Sequence, residues 1–371
     1  MFALVLYWLF LLAVGVQLGY AFYFFVRVFA RAYNVNTVEG ASLPVSIIIC
    51  AKNEAANLKK NLPEILTQKY SAGYEVIVVN DASTDDTPGV LQELELRYDN
   101  LWDVVVGQHV ERDLQGKKFA LRKGAVQAKY DWLLLTDADC VPASDKWLQS
   151  MAAPLACGRE IVAGYGGYNR SGGLLNAFIR WETMHTFLQY SSYALAGSPY
   201  MAVGRNMACT KVVLEKAQHS EVWNALPSGD DDLLVSIAGN QDNVAIVAEI
   251  GTFTYSDAKA TWKEWVQQKQ RHLSTGKYYG TETKTLLGGY AMAHAALWLG
   301  FFWLLFTPYC LTALAFMAVR CLCYWAIWAA TAYKLNEKKL VYLFPLFDLA
   351  WIVYNFAFFP YITWKNKKHW R

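Results

Sequence analysis

The residues best placed to do chemistry lie in Asp131 to Pro142, which reads Asp-Trp-Leu-Leu-Leu-Thr-Asp-Ala-Asp-Cys-Val-Pro. Trp132 to Leu135 is too short an apolar run for a helix and stops at polar residues, so it reads as a buried strand. Asp137 and Asp139 follow at its end. In extended backbone, residues i and i+2 share one side, so the two carboxylates can converge. Paired oxygen ligands at a strand end suit Mg²⁺ or Mn²⁺, hard cations that also hold phosphate oxygens. A second acidic centre is Ser228-Gly-Asp230-Asp231-Asp232-Leu-Leu234. Acids favour the first turn of a helix, and a positioned carboxylate can also take the proton of an attacking hydroxyl. Asp-x-Asp pairs arise by chance, so the weight falls on the elements around them.

Those elements alternate. Val45 to Cys50 is a β-branched run ending in Ala51-Lys-Asn53-Glu54, and Leu58, Leu62, Ile65 and Leu66 follow at helical spacing. Glu75 to Asn80 is a second buried strand, closing on Asp81-Ala-Ser-Thr-Asp-Asp-Thr87, where Ser83 or Thr84 can cap the next helix. Trp102 to Val106 is a third, and Gly116-Lys117-Lys-Phe-Ala120-Leu121 precedes the strand that ends at Asp137. Strands alternating with helices predict a mostly parallel sheet covered on both faces, with ligands beyond the C-terminal strand ends. Asn53, Glu54, Asp81, Asp137 and Asp139 all fall at such ends.

These segments resemble family 2 glycosyltransferases over about residues 44 to 275. The resemblance implies a Rossmann-like α/β fold of GT-A type that binds a nucleotide sugar. It assigns Ala51, Asn53 and Glu54 to the nucleoside, Asp81 to uracil or ribose, and Lys117 to the nucleotide or diphosphate. Asp137 and Asp139 match the metal pair, Asp137 lying against the donor as well. Gly204-Arg-Asn206-Met-Ala208 matches a segment beside the donor sugar, which places Asn206 there. The catalytic base falls at Asp231 with Asp230 as partner, and Asp232 is the register alternative. Gln268-Lys-Gln-Arg271-His272 matches Gln-x-x-Arg-Trp, a motif bordering the acceptor whose basic residue faces the diphosphate. His272 replaces the Trp and removes a stacking surface, which weakens the case for processive synthesis.

Composition bears on the setting. Hydrophobic residues make up 55% of the 371, and they are concentrated at the two ends. Phe2 to Val26 carries no charge, enough to span a bilayer, and Arg27 and Arg31 then place residue 32 onward in the cytosol. Leu286 to Tyr333 offers two spans broken near Thr307-Pro308, with Arg320 its only charge. Leu340 to Thr363 is a third apolar stretch, with lysines on both flanks, and reads as either a span or a re-entrant segment; Asp348 within it is a possible partner for Arg320. A net charge of +3 gives no footprint for nucleic acid, and seven cysteines show no framework spacing. Trp262, Trp265, Val266 and Leu273 predict an amphipathic helix, lying on a membrane surface or facing the core.

The expected architecture is an N-terminal anchor over 1–31, a cytosolic domain over 34–284 and a C-terminal membrane region over 285–371. The expected enzyme is a multi-pass, cell-membrane (inner or plasma membrane), inverting hexosyltransferase. It would use Mg²⁺ or Mn²⁺ to pass a sugar from a UDP-sugar to a membrane lipid or glycan. A processive polysaccharide synthase is the alternative, and an inactive nucleotide-sugar-binding scaffold the third.

Overall fold

The structure, a computed structural model, describes residues 1–33 and 43–363. The expected domain start at residue 34 and the basic cluster Lys365, Lys367, Lys368 and Arg371 lie outside the described residues. The chain opens with an apolar rod built from α1 (Phe2–Gly19), a π-helical stretch (Tyr20–Phe25) and α2 (Arg27–Arg31). The expected alternation follows: β1 (Val45–Ala51), α3 (Ala55–Leu66), β2 (Tyr74–Asp81), α4 (Thr87–Glu95), β3 (Leu101–Val106), α5 (Lys117–Gln127) and β4 (Trp132–Asp137). The second half of the domain holds β5 (Val141–Pro142), α6 (Trp147–Ala156), β6 (Ile161–Ala163), β7 (Gly166–Tyr168), α7 (Gly173–Leu195) and β8 (Met207–Thr210). Then come α8 (Lys211–Gln218), α9 (Glu221–Ala225), α10 (Asp232–Ala238), β9 (Val244–Ile246), β10 (Thr254–Ser256) and α11 (Trp262–Leu273).

The main sheet runs β3-β2-β1-β4-β8-β6-β9. Its first four strands are parallel, as the alternation requires, and β8 then enters antiparallel to both β4 and β6. β1 lies centrally, with Val45 opposite both Tyr74 and Trp132, so Ala51 and Asp137 finish at one edge. Ile47, Ile48 and Ile49 are at most 1% exposed, and each such side chain contributes roughly 1.5–3 kcal/mol by leaving water. Helix α5 sits so close to this sheet that a Cβ on Gly124 would lie 2.8 Å from Ile48. A small second sheet, β5-β10-β7, closes over the same edge.

Beyond the domain come α12 (Thr281–Leu304), α13 (Cys310–Lys334), a 3₁₀ turn (Lys338–Leu343) and α14 (Phe344–Thr363). Among the described residues, four helical segments are long and apolar enough to cross a membrane by length and composition: Phe2–Arg31, Thr281–Leu304, Cys310–Lys334 and Lys338–Ile362. Arg320 and Asp348 do pair, at the centre of a polar knot tying all four together. Arg320 reaches both carboxylate oxygens of Asp348 and donates to Gln17 Oε1 at 3.0 Å. Trp298 donates to Asp348 at 3.1 Å, and Tyr324 donates to the Gln17 carbonyl at 2.8 Å. A buried pair held by further hydrogen bonds avoids the cost of a bare charge in an apolar setting.

Candidate active site

The loops after β1 and β2 are stitched together. Asn53, in a left-handed conformation (φ 58°), accepts from the Thr84 N–H at 2.7 Å and donates its own N–H to Ser83 Oγ at 3.0 Å. The Glu54 N–H donates to Thr87 Oγ1 at 3.0 Å, and Ala51 is fully buried, with little beyond its backbone to offer. Asp81 is 1% exposed and held by a two-pronged pair with Arg112, at 3.1 and 2.6 Å. Arg112 was not singled out in the sequence, because its partner lies 31 residues away.

The two acidic centres face one another through Lys117. Its ammonium pairs with Asp137 and lies 3.7 Å from Asp230. Burial opposes that positive charge, but Asp137 and then Asp230 outweigh it and hold Lys117 well above the usual lysine range. Desolvation would raise Asp137, yet Lys117, with Arg205 and Arg271 behind it, keeps it below the ordinary carboxylate value. Desolvation and the neighbouring Asp137 raise Asp139. Ligand atoms of Asp137, Asp139 and Cys140 all lie within 4.8 Å of one another. The Cys140 thiol is driven far up by burial and stays protonated, so the available donors are carboxylate oxygens, a set that fits Mg²⁺ or Mn²⁺.

Asp231 caps α10. Its carboxylate accepts from the Gly204 N–H at 2.7 Å and the Asp232 N–H at 2.8 Å. Desolvation first, then repulsion from Asp230 and Asp232, push its pKa up to about 7. Asp232 is committed elsewhere: it takes hydrogen bonds from Thr275, from Tyr279 at 2.6 Å and from the Leu233 N–H at 2.8 Å. Between the two candidates for a proton acceptor, Asp231 is therefore the freer group.

Lys118, absent from the sequence assignments, pins this acidic loop. Fully buried, it donates to the carbonyls of Trp223 and Leu226 and lies over the Trp223 ring at 4.6 Å. A Cβ on Gly116 (φ 65°) would meet the Pro227 carbonyl oxygen at 2.3 Å. Gly116-Lys117-Lys118 thus joins the Asp137 strand to the Asp230–Asp232 loop, which the motif alone did not reveal.

One assignment changes. Asn206 is fully buried: its Oδ1 accepts from Trp147 at 2.9 Å, and its Nδ2 donates to the carbonyls of Tyr165 and Thr252 at 2.9 and 2.8 Å. It is a strut with no surface left for a sugar, while the positive charge of its neighbour Arg205 helps lower both acids. Arg205 donates to the Gly166 carbonyl at 3.0 Å and lies over the Tyr168 ring at 4.6 Å. A Cβ on Gly166 would collide with it at 2.4 Å. On α11, started by a Thr261–Glu264 capping box, Gln268 and Arg271 are half-buried. His272 stands exposed with Nε2 3.2 Å from the Arg271 guanidinium. Trp265 faces the core at 4% exposure while Trp262 is 48% exposed, so the helix is amphipathic with one face on the core. A polar recess of about 300 Å³ adjoins Asp139, lined in part by Asn57, Lys60, Asn61, Asn169, Asp257 and Lys259.

Residues 46–216 match the family model described as Glycosyl transferase family 2. Just under half of the chain is thus similar to family 2 glycosyltransferases. Among curated proteins the chain is similar to Glycosyltransferase AglE of Haloferax volcanii, 33% identical over 127 residues, which is 33% of this chain and 40% of that protein. It is also similar to the beta-monoglucosyldiacylglycerol synthase of a Nostoc species, 37% identical over 123 residues, or 33% of this chain and 26% of that one. The shared stretch is thus less than half of either relative. Among solved structures, a mannosyltransferase, PcManGT from Pyrobaculum calidifontis, in complex with GDP-Man and Mn²⁺, superposes with a TM-score of 0.55 at 17% identity, covering 96% of this chain and 99% of that one. The likeness shows the shared GT-A fold, a mostly parallel α/β sheet.

Proposed function

We propose that the glycosyltransferase is a membrane-bound, inverting enzyme that moves a sugar from a UDP-sugar to the hydroxyl of a membrane lipid. The observation that carries this reading is Asp231, a carboxylate with its pKa pushed up to about 7, set across Lys117 and Asp230 from the Asp137–Asp139 pair. A base working near neutrality needs such a pKa. In this reading Asp231 takes the acceptor's proton as its oxygen attacks the anomeric carbon, and the bond from that carbon to the diphosphate breaks. No protein nucleophile is required. Arg271 and Lys117 face the departing negative charge. A Mg²⁺ or Mn²⁺ held by Asp137 and Asp139 supplies further positive charge to the diphosphate when bound.

The donor class is supported by the family and by the nucleotide sugar bound in the Pyrobaculum structure. The Nostoc relative, named for a glucosylated diacylglycerol, favours a lipid acceptor. So does the setting, because α7 and α11 rest on the apolar helices through Phe178–Phe347, Trp181–Trp351 and Trp265–Phe358. The domain (34–284) would then lie on the cytosolic side of the plasma or inner membrane, between the N-terminal anchor (1–31) and the C-terminal membrane region (285–371). A processive synthase would need a path for its glycan, whereas Leu297, Arg320 and Tyr324 fill the centre of the helix bundle.

The test is nucleoside diphosphate release by the detergent-held protein from a panel of UDP- and GDP-sugars, with Mn²⁺ or EDTA, with and without membrane lipid extract. Release that needs lipid and Mn²⁺ and favours one UDP-sugar is expected. Release that is lipid-independent and yields a long glycan would move the reading to the polysaccharide synthase, and none at all with UDP still bound would favour the scaffold.

A further inference from the structure

Lys338–Ile362 has the length and apolarity of a span, but its contacts do not follow one. The far ends of α12 and α13 are covered by the start of α1: Phe2 packs on Trp303, Tyr7 stacks on Tyr309, and Phe10 lies against Gly300. These three helices form a bundle whose far end is the Leu304–Cys310 turn. A fourth span leaving the domain side at 338 would have to finish there.

It finishes instead where it began. After α13, Glu337 is held by Arg180 of α7, on the domain. The 3₁₀ turn then runs back along α13, where Trp325 donates to the Val341 carbonyl at 2.8 Å and Phe344 lies against Trp325 and Trp328. Asp348 makes the deepest contacts, with Arg320, with His294 at 3.3 Å and with Trp298 at 3.1 Å. At 1.5 Å per residue, Trp298 is about 25 Å along α12 from Thr281. From there α14 returns along the domain: Trp351 meets Trp181, Tyr354 and Phe358 meet Trp265, and Ile362 lies against Gly276, just ahead of α12. Leu346, Leu349, Val353 and Phe356, spaced three or four apart, are exposed on its other side. Irregular backbone at membrane depth is tolerated where protein covers it; in the 3₁₀ turn Leu340 is buried and Trp325 covers the Val341 carbonyl, while Tyr342 is exposed.

Charge agrees with contact. Lys338 and Lys339 open the stretch, and Lys365, Lys367 and Lys368 follow it. Basic residues beside apolar segments gather on the cytosolic side, and a single span cannot place both flanks there.

Building on the membrane-bound reading above, we infer that Lys338–Ile362 is re-entrant. It dips into the leaflet facing the glycosyltransferase domain, presents Leu346, Leu349, Val353 and Phe356 to lipid chains, and returns. The described residues therefore cross the bilayer three times, and α14 ends on the domain's side. Because α14 packs against Trp265 of α11, it also sets the height of α11, and with it Gln268 and Arg271, against the headgroups.

Protease protection in sealed, oriented vesicles tests this on the full chain with an epitope added after Arg371, the domain followed by its own fragments. A second version carries an epitope in the Thr307–Pro308 turn. The expected result is that the C-terminal epitope and the domain are protected together, or cut together, while the turn epitope does the opposite. A C-terminal epitope on the side opposite the domain would overturn the inference, and the first version alone decides this if the turn insertion fails to fold. Domain and C-terminus both cut from outside would leave the inference standing and sink only the cytosolic placement. A chain released from the vesicles by alkaline carbonate would sink the membrane-bound reading and the inference with it.

Discussion

At the residue scale, the proposed chemistry turns on one carboxylate whose surroundings keep it basic. Replacing Asp231 by Asn should lower kcat by roughly 10²–10⁴ with UDP affinity nearly unchanged, read by steady-state kinetics and nucleotide titration. In the native enzyme kcat/KM should fall as pH drops below about 7, because Asp231 then holds a proton. The same shift has a stability signature. The folded-state pKa lies above the unfolded value of about 3.9, so the folded chain binds the extra proton and stability falls as pH rises between these two values. Asp231→Asn should therefore raise Tm at pH 8 and leave it unchanged near pH 4; equal gains at both would show that Asp231 is not held up. The places of Asp137, Asp139 and Asp231 at element ends were legible because each belongs to a short local motif. Arg112 on Asp81, Lys118 under Trp223 and the inward amide of Asn206 were not, since each depends on a partner far away in sequence.

At the element scale, the start of α5 joins two halves of the site. Lys118→Met removes two hydrogen bonds to loop carbonyls and leaves both acceptors buried, a cost on the order of 1–3 kcal/mol for each. We expect a lower Tm and a larger loss in kcat than in UDP affinity, because the freed loop carries Asp230–Asp232 while Asp81 sits on another strand. A loss confined to UDP affinity would place the effect on the nucleotide side instead. The first four strands were readable from their β-branched runs and polar stops. The antiparallel entry of β8 was not, because a four-residue strand carries no directional signal.

At the scale of the whole molecule, the Arg320–Asp348 knot locks the apolar helices into one arrangement. Removing one partner of a buried pair typically costs about 3–5 kcal/mol, whereas apolar replacement of both is often neutral. Asp348→Leu alone should lower the detergent Tm sharply, and Arg320→Met with Asp348→Leu should recover most of it. No recovery would show that the knot does more than hold helices together. Lengths and charges showed which stretches are membrane-like; the direction of Leu340–Thr363 depended on which helices it touches.

One measurement tests the central proposal most directly: mass spectrometry of lipids after the purified protein meets a UDP-sugar, Mn²⁺ and membrane lipid extract. One new lipid, heavier by a single sugar and missing from the Asp231→Asn reaction, is the predicted result. A polymer independent of lipid, or the same glycolipid formed by Asp231→Asn, would contradict it.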